Sequence, residues 1–190
     1  MEKLAALDRE FFVFLNNLGS ERWDWLWLGI SDKWMAIPFY AILLFLLFKK
    51  FGWRPTIVTM VVVALLVTAT DQLANVFKHG FERPRPCQDE ELMKIARYVA
   101  ERCGRFGFFS AHAASSMGVA VFLSLIFNKT YKHFWILLIF WTILVSFSRI
   151  YLGVHYPGDV LVGWIFGAIL GWLFFRFREW LIQKMLSSVA

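Results

Sequence analysis

Long apolar runs broken by short charged groups set the pattern of this chain. Five runs are long enough, or nearly so, to cross a bilayer as helices: about Trp34–Phe48, Thr56–Phe77, Ala111–Phe127, Phe134–Val154 and Asp159–Phe175. The first, third and fifth sit near the short limit of roughly 17 residues for a span. Lys49-Lys50 closes the first, and Arg176 and Arg178 follow the fifth. Ahead of them, residues 3–18 have the period of an amphipathic helix. Leu4, Leu7, Phe11, Phe14, Leu15 and Leu18 share one face, and Asp8, Arg9, Asn16 and Asn17 lie off it. That pattern suits a helix lying in the membrane interface or docked on the bundle. Residues 23–30, with Trp23, Trp25 and Trp27, are too short to cross. The predicted fold is all-α: a polytopic bundle of about five transmembrane helices with an N-terminal interfacial region over residues 1–30, in one domain. Residues 78–110 form the one long polar stretch, read as an extramembrane loop. Loops of that size in compact proteins are usually functional or disordered.

Composition agrees with a bilayer protein. Of 190 residues, 59% are hydrophobic, against roughly 45–50% in a soluble domain. Ten Trp and 21 Phe fit aromatic belts at the two interfaces. The net charge of +6 points to anionic partners; in a membrane setting these are lipid headgroups or a phosphorylated substrate, not nucleic acid. No cleavable leader is expected, because Asp8, Arg9 and Glu10 interrupt the first apolar cluster.

The span order brings distant polar residues to one side. The end of span two, the start of span three, the end of span four and the start of span five all face the same way. Lys78, Arg85, Ser110, His112, Arg149, His155 and Asp159 therefore meet at one membrane face. The other face carries Lys49, Lys50, Arg54, Lys129, Lys132, Arg176, Arg178 and Lys184 in short segments, which reads as cytoplasmic. The polar face is then expected outside, periplasmic for a bacterial inner membrane. Cys87 and Cys103 lie in the long loop on that side, where a disulfide is an expectation; two free thiols, or a metal site with His79, are the alternatives.

Ionisable groups at membrane depth are costly and need a reason. Ser148-Arg149, His155 and Asp159 supply a hydroxyl, a cation, an imidazole and a carboxylate within twelve residues. Pro157 suits the first turn of a helix and puts Asp159 where it can hold one His155 nitrogen, freeing the other as a nucleophile. Arg83-Pro84-Arg85-Pro86 follows Lys78, and these cations match phosphate oxygens. Ser110 is a good N-cap, and a helix N-terminus favours an anion. Asp71, Asn75 and Lys78 share one face of span two as a polar stripe aimed into the bundle. His79 and His133 have no evident partner and read as solvated.

Together these residues resemble the type 2 phosphatidic acid phosphatase (PAP2) superfamily. The family's Lys-x6-Arg-Pro motif matches Lys78 to Arg85-Pro86. Its Pro-Ser-Gly-His motif matches Phe109-Ser110-Ala111-His112, with Phe and Ala at two positions. Its Ser-Arg-x5-His-x3-Asp motif is complete at Ser148-Arg149, His155 and Asp159. The resemblance implies that Lys78, Arg85, Ser110, the Ala111 N–H and Arg149 hold the phosphoryl oxygens. It implies that His155 attacks phosphorus, Asp159 orients His155, and His112 protonates the leaving oxygen, with no metal and no cofactor. If the family glycine needs positive φ, Ala111 is costly.

The expected activity is a lipid phosphatase acting on a membrane lipid phosphate. Undecaprenyl diphosphate is favoured over phosphatidylglycerol phosphate, phosphatidate or lipid A phosphates. A non-catalytic phospholipid-binding protein or carrier is the alternative of another class. No obligate protein partner is evident in the sequence.

Overall fold

The computed structural model describes residues 2–32, 34–128 and 130–187. Lys129, one of the basic residues used to orient the chain, lies outside them. Eight α-helices are present among the described residues: α1 (Glu2–Asn16), α2 (Asp24–Ser31), α3 (Ile37–Phe51), α4 (Trp53–Phe81), the single turn α5 (Glu90–Met93), α6 (Ala111–Phe127), α7 (Phe134–Tyr151) and α8 (Pro157–Ser187). A backbone in lipid must satisfy its own polar groups, so each apolar run folds as a helix. α4, α7 and α8 are long and apolar enough to cross a membrane; α6 is shorter and apolar.

The five predicted runs each fold as a helix, α3, α4, α6, α7 and α8, with corrected ends. α3 starts at Ile37, not Trp34, with Pro38 in its first turn, and runs to Phe51. α4 continues past the apolar run to Phe81, so Lys78 sits in its last turn instead of in a loop. The loop proper begins at Glu82, whose left-handed φ of 47° caps α4 by sending its N–H to Lys78 O. α8 extends to Ser187. Its charged second half stays helical because Arg178 turns inward, buried, and donates to Thr59 Oγ1 at 3.1 Å.

α6 is the central helix, packed on α4, α7 and α8. It is apolar all round, as a fully surrounded helix should be. Val119, Phe122, Leu123 and Phe127 of α6 join Leu43 and Leu47 of α3, Val62 and Leu66 of α4 and Leu138 of α7 in the core. The closest contact is with α8. A Cβ on Gly163 would stand 2.8 Å from Ser110 O, and Gly167 and Gly171 press still closer to the α6 backbone at Ala114 and Gly118. Small residues four apart let two membrane helices touch backbone to backbone. This seam fixes the start of α6 against the start of α8.

α1 docks with its polar side inward. Phe12 and Asn16 are buried, while Leu4, Leu7, Phe11, Phe14 and Leu18 are exposed. Asn16 Nδ2 donates to the carbonyls of Arg97, Ile150 and Tyr151, and its Oδ1 accepts from Arg97 N–H at 2.6 Å. A helix in water would turn its apolar face in; this one turns it out.

The segment after α4 folds back over the site. Gly107 N–H donates to Arg83 O at 2.9 Å, and Cys87 is joined to Cys103 with Cα atoms 6.2 Å apart. Val99 and Ala100 N–H both donate to Leu152 O. Beside them Gly153 adopts φ +79°, and a Cβ there would stand 2.8 Å from Arg97 O.

Candidate active site

α7 ends at Tyr151 and α8 begins at Pro157, so residues 152–156 form a tight buried turn. His155 lies in that turn at 2% exposure, and Asp159 in the first turn of α8 is fully buried. His155 Nδ1 is 3.4 Å from Asp159 Oδ2, which also accepts the Tyr156 N–H at 3.0 Å. That geometry leaves Nε2 of His155 as the free nitrogen. Burial pushes the His155 pKa down to about 4; the Asp159 carboxylate opposes this, while Arg85 and Arg149 add to it. The imidazole is thus neutral at pH 7, the form a nucleophile needs.

The other carboxylate oxygen of Asp159 is held from the loop. Arg83 Nη1 donates to Asp159 Oδ1 at 2.7 Å, and Arg83 Nη2 donates to Asp8 Oδ2 at 2.6 Å. Asp8 Oδ1 accepts the Gly158 N–H at 2.7 Å, at the head of α8. The Arg83 guanidinium stacks 4.3 Å over the Tyr156 ring, whose other edge meets Phe12 of α1. Three chain segments therefore converge on one carboxylate. The sequence reading selected Arg85 by motif spacing and did not assign Arg83 or Asp8. The doubled Arg-Pro and the lone aspartate on the polar side of α1 were the available signals.

α6 brings the second imidazole. Ser110 caps the helix, accepting from Ala113 N–H at 3.4 Å, and its own N–H donates to Asp159 O at 3.0 Å. The cap thereby joins the two helix starts. His112 in the first turn lies within electrostatic range of Arg149, His155, Lys78 and Arg85. Glu82 is the only non-glycine residue with positive φ among those described, so Ala111 has ordinary helical backbone. Its N–H at the open end of the helix can still donate to an anion. Phe109, where the family has proline, is fully buried, stacks on Phe166 at 5.0 Å and meets Phe77 edge-on. Aromatic packing holds that turn.

The cations surround this pair. Arg149 Nη1 donates to Ser31 Oγ of α2, and its buried Nε has no hydrogen-bond partner. Arg85 Nε donates to Phe106 O at 2.9 Å, and burial lowers its pKa despite the nearby Asp159. Among the described residues, Lys78 Nζ makes one long 3.5 Å contact, with Asn75 Oδ1. Half-buried cations with unspent donors are what an incoming phosphate would satisfy. Ser148 is turned away, its hydroxyl donating to Val145 O at 2.7 Å. His79 and His133 are exposed, although His79 Nδ1 lies 2.8 Å from Asn75 O. Two imidazoles and three cations thus lie within electrostatic range of one another, a set of groups suited to an anion.

Comparison with known proteins gives a consistent picture. The PAP2 superfamily model matches residues 56–183. A lipid A 4'-phosphatase of Bacteroides thetaiotaomicron is 36% identical over 170 residues, covering 88% of this chain and 75% of that protein. A lipid A 4'-phosphatase of Porphyromonas gingivalis is 33% identical, covering 93% and 75%. An undecaprenyl-diphosphatase of Sulfolobus acidocaldarius is 32% identical, covering 82% and 64%. Among solved structures, the transmembrane PAP2-type phosphatidylglycerolphosphate phosphatase of Bacillus subtilis superposes with a TM-score of 0.74 at 22% identity, covering 94% of this chain and 88% of that one.

Proposed function

Because the chain belongs to the PAP2 superfamily, we propose that it removes a phosphate from a membrane lipid by way of a phosphohistidine on His155. It is an integral membrane lipid phosphatase. The observation that carries the proposed route is the buried His155–Asp159 pair, set among Lys78, Arg85 and Arg149 with His112 in range.

In this route His155 Nε2 attacks phosphorus and the bond to the lipid oxygen breaks. The bound phosphate dianion favours a proton on His112, which gives it to that oxygen. Asp159 stabilises the ring as positive charge grows on it. Water then attacks the phosphohistidine, His112 takes the water's proton, and inorganic phosphate leaves with His155 regenerated. Phosphoryl transfer is mostly positioning and charge stabilisation, which the three cations and the α6 N-terminus supply. General acid help from a histidine is worth roughly 10²–10⁴-fold.

The substrate we favour is a lipid A type phosphomonoester, supported by two relatives with that activity in their names. This shifts the weight from undecaprenyl diphosphate, the substrate favoured on sequence grounds. Undecaprenyl diphosphate stays as the second reading, supported by the archaeal relative. The site is proposed to face the periplasm or exterior of a bacterial inner membrane. The Cys87–Cys103 pairing supports that side, because disulfides persist in oxidising compartments. Phosphate release from a panel of lipid phosphates in detergent, with chelator present, tests the proposal. Release from at least one lipid is expected. No release by folded protein would overturn it and favour a phospholipid-binding protein.

A further inference from the structure

A cavity of about 660 Å³ adjoins the phosphate site on the His112 side. It is bounded by α2, α3, α4, α6 and α7, and both His112 and Ser31 line it. Ser31 accepts from Arg149, so one wall of the cavity is hydrogen-bonded to a site cation. Its position has a chemical meaning. An acid that protonates the leaving oxygen stands beside the leaving group, so the space beyond His112 receives that part of the substrate.

The walls differ. Asp71 and Gln72 of α4 line one side, and Tyr40 and Trp141 line another. Asp71 and Gln72 make no hydrogen bond or ion pair among the described residues, although Asp71 lies within electrostatic range of Lys78. Asp71 lies seven residues before Lys78, about 10 Å deeper along the helix. Asp71 and Gln72 are both exposed on a helix long and apolar enough to cross a membrane, and a carboxylate at that depth points to a ligand group it would bind. Asp32 of the α2–α3 turn adds a second carboxylate to the lining.

We propose that this cavity is the leaving-group subsite, and that Asp71 and Gln72 make it select a phosphorylated sugar headgroup over a diphosphate. The inference rests on the lipid phosphatase reading above. A sugar presents hydroxyl and amide hydrogens next to the scissile oxygen, and Asp71 and Gln72 can accept them. Its apolar faces and the acyl chains fit against Tyr40 and Trp141. A diphosphate is the opposite case. Once its terminal P–O bond breaks, the leaving group is itself a phosphate, held in a cavity lined by two carboxylates. Like charges held this close together disfavour it.

The test measures kcat/KM for two substrates in the same detergent: a 4-phosphorylated N-acylglucosamine lipid and a polyprenyl diphosphate. Wild type is expected to favour the sugar lipid. Asp71→Asn keeps the shape and removes the charge. It should lower kcat/KM for the sugar lipid by at least about tenfold, the worth of one hydrogen bond to a charged group, and raise it for the diphosphate. Gln72→Ala should narrow the preference in the same direction. If Asp71 only supports Lys78 or the fold, both substrates lose equally and the ratio stays fixed; that result overturns the subsite. A wild-type preference for the diphosphate overturns it too. Failure of wild type to release phosphate from either lipid would instead sink the underlying phosphatase reading.

Discussion

Arg83 stands 2.7 Å from Asp159, on the carboxylate oxygen that His155 leaves free, and its other nitrogen reaches Asp8 on the N-terminal helix. The carboxylate beside the proposed nucleophile is thus gripped from the loop, and the loop from α1. Losing Arg83 would leave a fully buried carboxylate with fewer partners, which is expensive. Arg83→Ala should lower kcat by roughly tenfold or more, about 1.4 kcal/mol per tenfold step. Asp8→Asn should cost less, since Arg83 keeps Asp159. A positional role predicts one further change in the Arg83→Ala protein. Asp159, no longer shared with a cation, should hold the imidazolium more strongly and move the His155 titration upward. Equal kcat and an unmoved titration in Arg83→Ala would remove Arg83 from the site.

The His155 ring should remain neutral far into acid. Its pKa is pushed down to about 4 by burial, so the folded protein resists protonation there while the unfolded chain accepts a proton near 6.5. The resulting stability is fully present above about pH 6.5 and is lost as pH falls toward 4. Nitrogen-15 NMR of labelled histidine, assigned with a His155→Gln variant, reads this directly. A His155 midpoint at 6 or above would show that the ring is not buried as described.

Cys87 and Cys103 close a loop of sequence separation 16 over the site. Thiol titration of unfolded, unreduced protein should find no free thiol. Reduction should then lower thermal stability, by an amount near the roughly 3 kcal/mol expected for a loop of this size. Two free thiols in protein isolated from its native membrane would refute the pairing and weaken the external placement of the site.

Much of this was legible because bilayer helices write themselves as apolar runs. α4, α6, α7 and α8 followed from length and hydropathy, and span order alone put Lys78, His112, Arg149 and His155 on one side. Helix ends were less legible. Lys78 belongs to α4 because the helix runs on until Glu82 turns left-handed, which hydropathy does not report. The Gly163, Gly167 and Gly171 stripe that seats α8 on α6 was present in the sequence but has meaning only once the two helices are known to face each other. The bridge from Asp8 to Arg83 spans 75 residues and joins three segments, so no local pattern encodes it. α1 had two readings, interfacial or docked. The structure shows it docked through its polar face, with the apolar residues outward.

Trapping the covalent intermediate tests the central claim most directly. Protein mixed with a substrate labelled in its terminal phosphate and quenched in alkali should carry label on the peptide containing His155. The label should be acid-labile and absent from folded His155→Ala protein that still binds inorganic phosphate. Label on another residue, or turnover in His155→Ala close to that of the wild type, would contradict the account.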